Sequence, residues 1–280
     1  MRGTSLSRTI KWTLHYAALL AYVAVALFPL YWLFKVSITP NDILYKQGMA
    51  LLPSKVTLDH YATVVGKSDF LLYFRNSIIV SGVTALASTL LATAAGYAFS
   101  RFGFRGKFWI VGLMLVTQMF PLVIVITPIF SIFGVLGLTN TLTGLIIIYT
   151  AFNIPFATFL MQSFFDGIPK ELEEAAMIDG ATRFKALVEI VAPLTLPGIV
   201  ATVGFCFTGA WGEILFALLL NSSPSASTFP VGLLLYSTRG TVEYGPMMAA
   251  GVLALLPVCV FFFLIQRYLV QGLTAGAVKG

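Results

Sequence analysis

No charged side chain occurs between Lys107 and Asp166, a run of 58 residues, nor between Arg75 and Arg101, a run of 25. A bilayer core requires about 20 consecutive, mostly apolar residues in helical form, and a charge placed there is expensive. The longer run holds two such spans, because Gly134, Gly137 and Asn140 break the apolar pattern between 108–133 and 142–165 and predict a helical hairpin. Uncharged runs at 17–34, 190–212 and 244–266 complete a set of six. Composition agrees: 58% of residues are hydrophobic and 10% charged, whereas soluble domains carry about a quarter charged. A mean hydropathy of +0.92 excludes disorder, and 24 Phe, 11 Tyr and 4 Trp suit lipid contact and interfacial anchoring.

The fold class that follows is all-α: a polytopic membrane protein with six transmembrane helices, at about 13–36, 76–100, 108–133, 142–165, 191–220 and 245–267. A tail at 1–12 precedes the membrane domain 13–268, a polar loop at 166–190 joins the fourth and fifth spans, and a tail at 269–280 ends the chain. Arg2, Arg8 and Lys11 ahead of an apolar run resemble a secretory signal. Its 18 apolar positions exceed the 7–15 of a signal core, so a retained first helix is expected. Cys206 and Cys259 lie in apolar runs and read as small buried hydrophobes. Pro121, Pro128, Pro155, Pro197 and Pro257 interrupt spans and predict kinks.

Eleven of the 17 Lys and Arg fall on the side that holds both termini, the Arg101, Arg105, Lys107 loop and the 166–190 loop. The opposite side carries Lys35, Lys46, Lys55, Lys67, Arg75 and Arg239. The positive-inside rule puts both termini in the cytoplasm. Charge gathered at membrane borders accounts for the net +6 without a nucleic-acid partner.

Six of the eleven acidic residues, Asp166, Glu171, Glu173, Glu174, Asp179 and Glu189, share that 25-residue loop with Lys170, Arg183 and Lys185. Pro169 suits a first helical position, the following glutamates complement the helix dipole, and Gly180 suits a left-handed stop. Thr182 predicts a cap on a second short helix running to Pro193. Leu172, Ala175 and Ala176 cluster at helical spacing, while Glu171 and Glu174 share another face. Helices lying on a membrane surface favour basic polar faces. This acidic one predicts a protein partner.

Glu174-Ala175-Ala176, then Gly180 after three residues, and Ile190 and Pro193 beyond, resemble the EAA loop of permease subunits of ABC importers. Ala192 stands where the family usually has leucine, a mild change at a packing position. The final nine residues, from Gly272 to Gly280, look like the tail of the maltose-type carbohydrate-uptake branch, and Trp211-Gly212-Glu213 adds to the likeness. The resemblance implies that the loop is a coupling helix docking into a cytoplasmic ATPase. Glu173, Glu174, Ala175, Ala176, Met177, Asp179, Gly180 and Ala181 would form it, with Glu174 meeting a basic residue and Asp179–Gly180 shaping the turn. It also implies a second homologous permease subunit, two ATPase subunits, an extracytoplasmic substrate-binding protein, the lipid bilayer and a sugar as partners. ATP and Mg would be used by the ATPase subunits, with no cofactor, metal or catalytic residue on this chain. In agreement, the sequence holds no Gly-rich phosphate loop ending in Gly-Lys-Ser or Gly-Lys-Thr.

Polar residues within the spans mark a candidate substrate path: Gln118, Asn153 and Gln162, with Glu213 beside Trp211. An aromatic face next to donors and acceptors suits a sugar ring, although Gln and Asn also join membrane helices to one another. The resemblance implies that the last outer loop, 221–244, reaches toward the binding protein, the alternative being a plain connector. A glycerol-3-phosphate or polyol importer, an ion-coupled carrier and a scaffold that transports nothing remain alternatives at this stage. The carrier would require intramembrane carboxylates and an internal repeat.

Overall fold

The computed structural model describes residues 3–47, 50–66, 68–238 and 241–277. Arg2, Lys67, Arg239 and Lys279, counted above for orientation, lie outside the described residues, as do Val278 and Gly280 of the tail. The chain divides into two compact units, residues 1–67 with 233–255, and residues 68–232 with 256–280.

In the first unit α1 (Gly3–Ser37) is followed by α2 (Asn41–Gln47) and α3 (Asp59–Gly66). Helix already begins at Gly3, so the described part of the expected tail 1–12 is helical. None of the most apolar stretch of α1 is buried against the rest of the chain, which leaves many of its Leu, Val, Tyr and Phe side chains exposed. Its C-terminal end is polar and packed. Ser37 Oγ donates to Phe34 O and meets Tyr61 Oη at 2.7 Å, Thr39 Oγ1 donates to Lys35 O, and His60 Nε2 lies 2.9 Å from Thr39 O. The chain returns to this unit through a two-residue ribbon, β1 (Ser237–Thr238) against β2 (Thr241–Val242). Tyr45 Oη donates to Val242 O at 2.9 Å. The helix that follows the ribbon packs closely: a Cβ at Gly245 would lie 2.4 Å from the His60 ring.

The second unit is built on α4 (Ser68–Arg101), which packs along α7 (Leu142–Asp166) and α11 (Leu196–Trp211). Small residues make the approach possible, since helices in lipid associate by close van der Waals packing. Ala85, Ala92, Ser77, Ser81, Thr84 and Ser88 of α4 are buried. A Cβ on Gly96 would come within 2.8 Å of Gln162 N and 2.9 Å of Met161 Cβ. Between α4 and α7 the chain forms α5 (Lys107–Met119) and α6 (Leu122–Val135).

The predicted span 108–133 is therefore not one helix: the chain bends by 102° between α5 and α6. Pro121 holds the preceding residue extended, and both Phe120 (ψ 128°) and Pro121 (ψ 124°) are extended. Pro128 and Pro155, by contrast, sit inside α6 and α7 without ending them. The hairpin turn falls where expected: Gly137 is left-handed (φ 67°), and Leu138 N and Gly137 N donate to Phe133 O and Gly134 O.

After α7 come α8 (Glu171–Ile178), α9 (Arg183–Ala186), a π-helical turn (Leu187–Val191) and α10 (Ala192–Leu194). The chain bends by 74° between the segment Arg183–Leu194 and α11. The predicted span 191–220 is likewise interrupted, at Thr195 and again at 212–214 before α12 (Leu215–Leu220). Pro197 occupies the first turn of α11, just past the 74° bend at Thr195. A 3₁₀ turn, α13 (Phe229–Leu233), a second 3₁₀ turn and the ribbon lead to α14 (Tyr244–Ala277), which contains Pro257 and continues beyond the predicted end at 267. Its 256–277 half belongs to the second unit, where Phe261 stacks on Phe207 at 4.8 Å. Cys206 is buried, but Cys259 is exposed because α14 presents that face outward.

Among the described residues the regular structure is thus helical apart from the ribbon. Four of the described helices are long and apolar enough to cross a membrane, or up to six if each bent pair is one span.

Candidate functional site

Two regions gather the residues singled out in the sequence, and both lie in the second unit. The first is the 166–190 loop. Three glutamates, Glu171, Glu173 and Glu174, occupy the first turn of α8, where the unsatisfied N–H groups favour negative charge. Pro169 stands ahead of the helix instead of inside it, and its carbonyl accepts from Leu172 N at 3.4 Å. The stop is as predicted. Gly180 adopts φ +89°, Ala181 N donates to Ala176 O at 2.9 Å and Gly180 N to Met177 O at 3.1 Å, the bond pair of a Schellman ending. Thr182 then caps α9 by accepting from Lys185 N at 3.2 Å.

This geometry sorts the predicted coupling residues by face. Glu174, Ala175, Asp179 and Gly180 are exposed, Met177 and Ala181 half-buried, and Glu173 and Ala176 buried. The outer face also carries Leu172 (43% exposed), Ile178 (86%) and, from α9 and the turn after it, Phe184 (75%) and Val188 (50%). Glu173 points the other way. It accepts from Tyr97 Oη at 2.7 Å and forms an ion pair with Arg101, both on α4. The family resemblance placed Glu173 and Glu174 together in the coupling set. Only packing separates them.

The second region is a cavity of about 340 Å³ between α5, α6, α7, α11 and α12. Gln118, Asn153 and Glu213 line it, as anticipated from their cost in hydrocarbon. Asn153 Nδ2 donates to Tyr149 O at 2.8 Å, which leaves its Oδ1 as an acceptor. Glu213 is more committed. Its carboxylate accepts from Tyr149 Oη at 2.7 Å and from the N–H groups of Leu215 (2.8 Å) and Phe216 (3.1 Å), so it closes the N-terminal end of α12.

Gln162 and Trp211 do not line the cavity. Gln162 lies one turn from the end of α7, with Nε2 3.4 Å from Asp166 Oδ2. Trp211 is buried in a ring cluster, stacked with Phe207 and Phe229 and edge-on to Phe74. The aromatic walls are instead Phe120, Tyr149, Phe152, Phe156, Phe205 and Phe216, with Phe156 and Phe205 stacked at 4.0 Å. Sequence reasoning missed these residues. A signal existed on α7, because Tyr149, Phe152 and Phe156 share the face of Asn153 at spacings of three and four. None marked Phe205, which is brought in by the packing of α11. Among the described residues lining the cavity there is no Lys, Arg or His.

Comparison with known proteins connects the two regions. Residues 88–275 match the family of binding-protein-dependent transport system inner membrane components. This chain belongs to that family. The match spans α4 from Ser88 onward, the cavity, the 166–190 loop and nearly all of α14. Among relatives, the inner membrane ABC transporter permease protein YcjP of Escherichia coli is 36% identical over 98% of both chains. The trehalose/maltose transport system permease protein MalG of Thermococcus litoralis is 36% identical over 91% of this chain and 92% of its own length. A crystal structure of a bacterial ABC transporter that imports alginate has the same fold (TM-score 0.80, 22% identity, covering 94% of this chain and 98% of that one). The inner membrane component described here is therefore a membrane permease of a binding-protein-dependent importer.

Proposed function

We infer that this permease forms half of the translocation path of an ATP-driven importer for a neutral sugar, with a disaccharide the best-matched cargo. The observation that carries the sugar reading is the cavity: acceptors on Gln118 and Asn153, phenyl walls from Phe152, Phe156 and Phe205, and no cation in its lining. Sugar C–H faces pack on aromatic rings while hydroxyls require hydrogen-bond partners. Its volume of about 340 Å³ falls within the roughly 300–1,000 Å³ of small-molecule sites. The trehalose/maltose relative supports the same class. A phosphorylated polyol would require cations, which this subunit does not supply to the cavity.

The outer face of α8 and α9 is read as the surface that docks into an ATPase subunit, with Glu174 meeting a basic partner and Ala175 permitting close approach. ATP and Mg are used there, not on this chain. A second permease, a pair of ATPases and a substrate-binding protein outside the membrane complete the machine. Counting each bent pair as one span gives six crossings, and the charge distribution puts both termini and the coupling helix in the cytoplasm.

The test is purification of the tagged chain with its partners, reconstitution in lipid vesicles, and uptake of labelled maltose and trehalose with and without ATP. Recovery of an ATPase and ATP-dependent uptake of either sugar is expected. A lone protein without ATP-dependent uptake would overturn the reading.

A further inference from the structure

The 166–190 loop is joined to the rest of the second unit by more than the chain on either side of it. Its innermost side chain, Glu173, meets Arg101 and Tyr97, which lie one turn apart on the same face of α4 and 72 and 76 residues away in sequence. Both ionic side chains are nearly sealed from solvent, at 4% exposure for Arg101 and 9% for Glu173. Arg101 has a second hold on the same segment, through Nη2 to Ile168 O at 3.0 Å. It is oriented by Nη1 to Ser100 Oγ, and Ser100 Oγ in turn donates to Asp166 Oδ1. A buried ion pair adds little net stability, because desolvation offsets the attraction. Planar guanidinium geometry gives it direction instead.

Along the same stretch α4 packs closely on α7, where the Tyr97 ring meets Phe165 edge-on at 5.5 Å. Gly96, one residue before Tyr97, touches the backbone of α7 so closely that a methyl group would not fit against Gln162 N. Contacts therefore run from α8 to α4 through Glu173, and from α4 to α7, independently of the chain that joins α7 to α8.

We propose that Tyr97, Arg101 and Glu173 are positioning residues that link the coupling helix directly to α4, so that motion of α8 moves α4 and α7 as one body. The link rests on the reading of the 166–190 loop as the ATPase-docking element. It adds a route of transmission that the exposed residues of that loop do not supply.

The test uses the full complex, with its ATPase, in lipid vesicles, and measures labelled maltose or trehalose uptake and ATP hydrolysis side by side. In Glu173→Gln and Arg101→Met, uptake per ATP hydrolysed is expected to fall about tenfold or more, a coupling loss within the usual range, while the ATPase still co-purifies. Tyr97→Phe, which keeps the ion pair, should lose less, and Arg101→Lys should recover part of the loss seen with Arg101→Met. Uptake per ATP unchanged in both Glu173→Gln and Arg101→Met would overturn the link. So would uptake and hydrolysis falling together with the yield of complex, the pattern of a purely structural contact. Wild-type vesicles without ATP-driven uptake would overturn the underlying reading, and show as a failure of the control instead of the variants.

Discussion

At Gly180 the backbone sits at φ +89°, a conformation that costs an L-residue with a side chain roughly 1–2 kcal/mol. Nothing lies within 4 Å of a Cβ built there, so the penalty of Gly180→Ala is conformational, not steric. That variant is expected to lower uptake severalfold while leaving membrane insertion intact, as read by transport and by yield from membranes. Glu174→Lys puts a positive charge in the first turn of α8, against the helix dipole, and on its exposed face. It should abolish co-purification of the ATPase, and normal recovery would sink the docking role of Glu174. Trp211 and Phe205 form a complementary pair. Trp211→Ala removes a ring from a four-ring cluster in the core and should destabilise the protein by about 3–5 kcal/mol, visible as a large drop in melting temperature in detergent. Phe205→Ala opens a wall of the cavity and is expected to raise the apparent KM for sugar with a smaller change in melting temperature.

At the scale of elements, the break between α5 and α6 decides which residues reach the cavity. Phe120 and Leu122 flank the break and line the site. Pro121→Ala frees residue 120 to become helical and restores an N–H at 121. The two helices are then expected to straighten in part. A straight path from 110 to 132 would span about 33 Å at 1.5 Å per residue, and the observed 102° bend shortens it to roughly 21 Å on the same rise. Spin labels at those positions should report the lengthening, and an unchanged distance would show that neighbouring helices alone hold the bend. The sequence showed each breaker but not its effect. Pro121 ends a helix, Pro197 begins one, and Pro128 and Pro155 sit inside helices that continue, because a neighbouring helix or an adjusted turn can compensate a lost N–H. The stop at Gly180 and the cap at Thr182 were legible because both are made by residues within one or two turns of each other.

For the molecule as a whole, a surface that docks a partner is expected to be protected by it. Ile178 is 86% exposed, so Ile178→Cys in a Cys259→Ser background should react with a membrane-impermeant maleimide in inside-out vesicles of the permease alone. Bound ATPase should slow the reaction about tenfold or more, consistent with a face buried in a stable interface. Equal rates would show that α8 lies outside the contact. Where the apolar segments fall, how the basic residues divide along the chain, and where α8 stops were determined by the sequence alone. Those properties are local, since a helix in lipid satisfies its backbone hydrogen bonds within its own segment, and a cap or stop is made by near neighbours. Which side of each helix faces a neighbour was decided only by the tertiary structure. It turns Glu173 inward to Arg101 while Glu174 faces out, and it buries Trp211 while Phe205 walls the cavity. The partners of Glu173 arrive from 72 and 76 positions away and the ring that stacks on Phe205 comes from another helix, and no periodicity within a single helix records which partner will come.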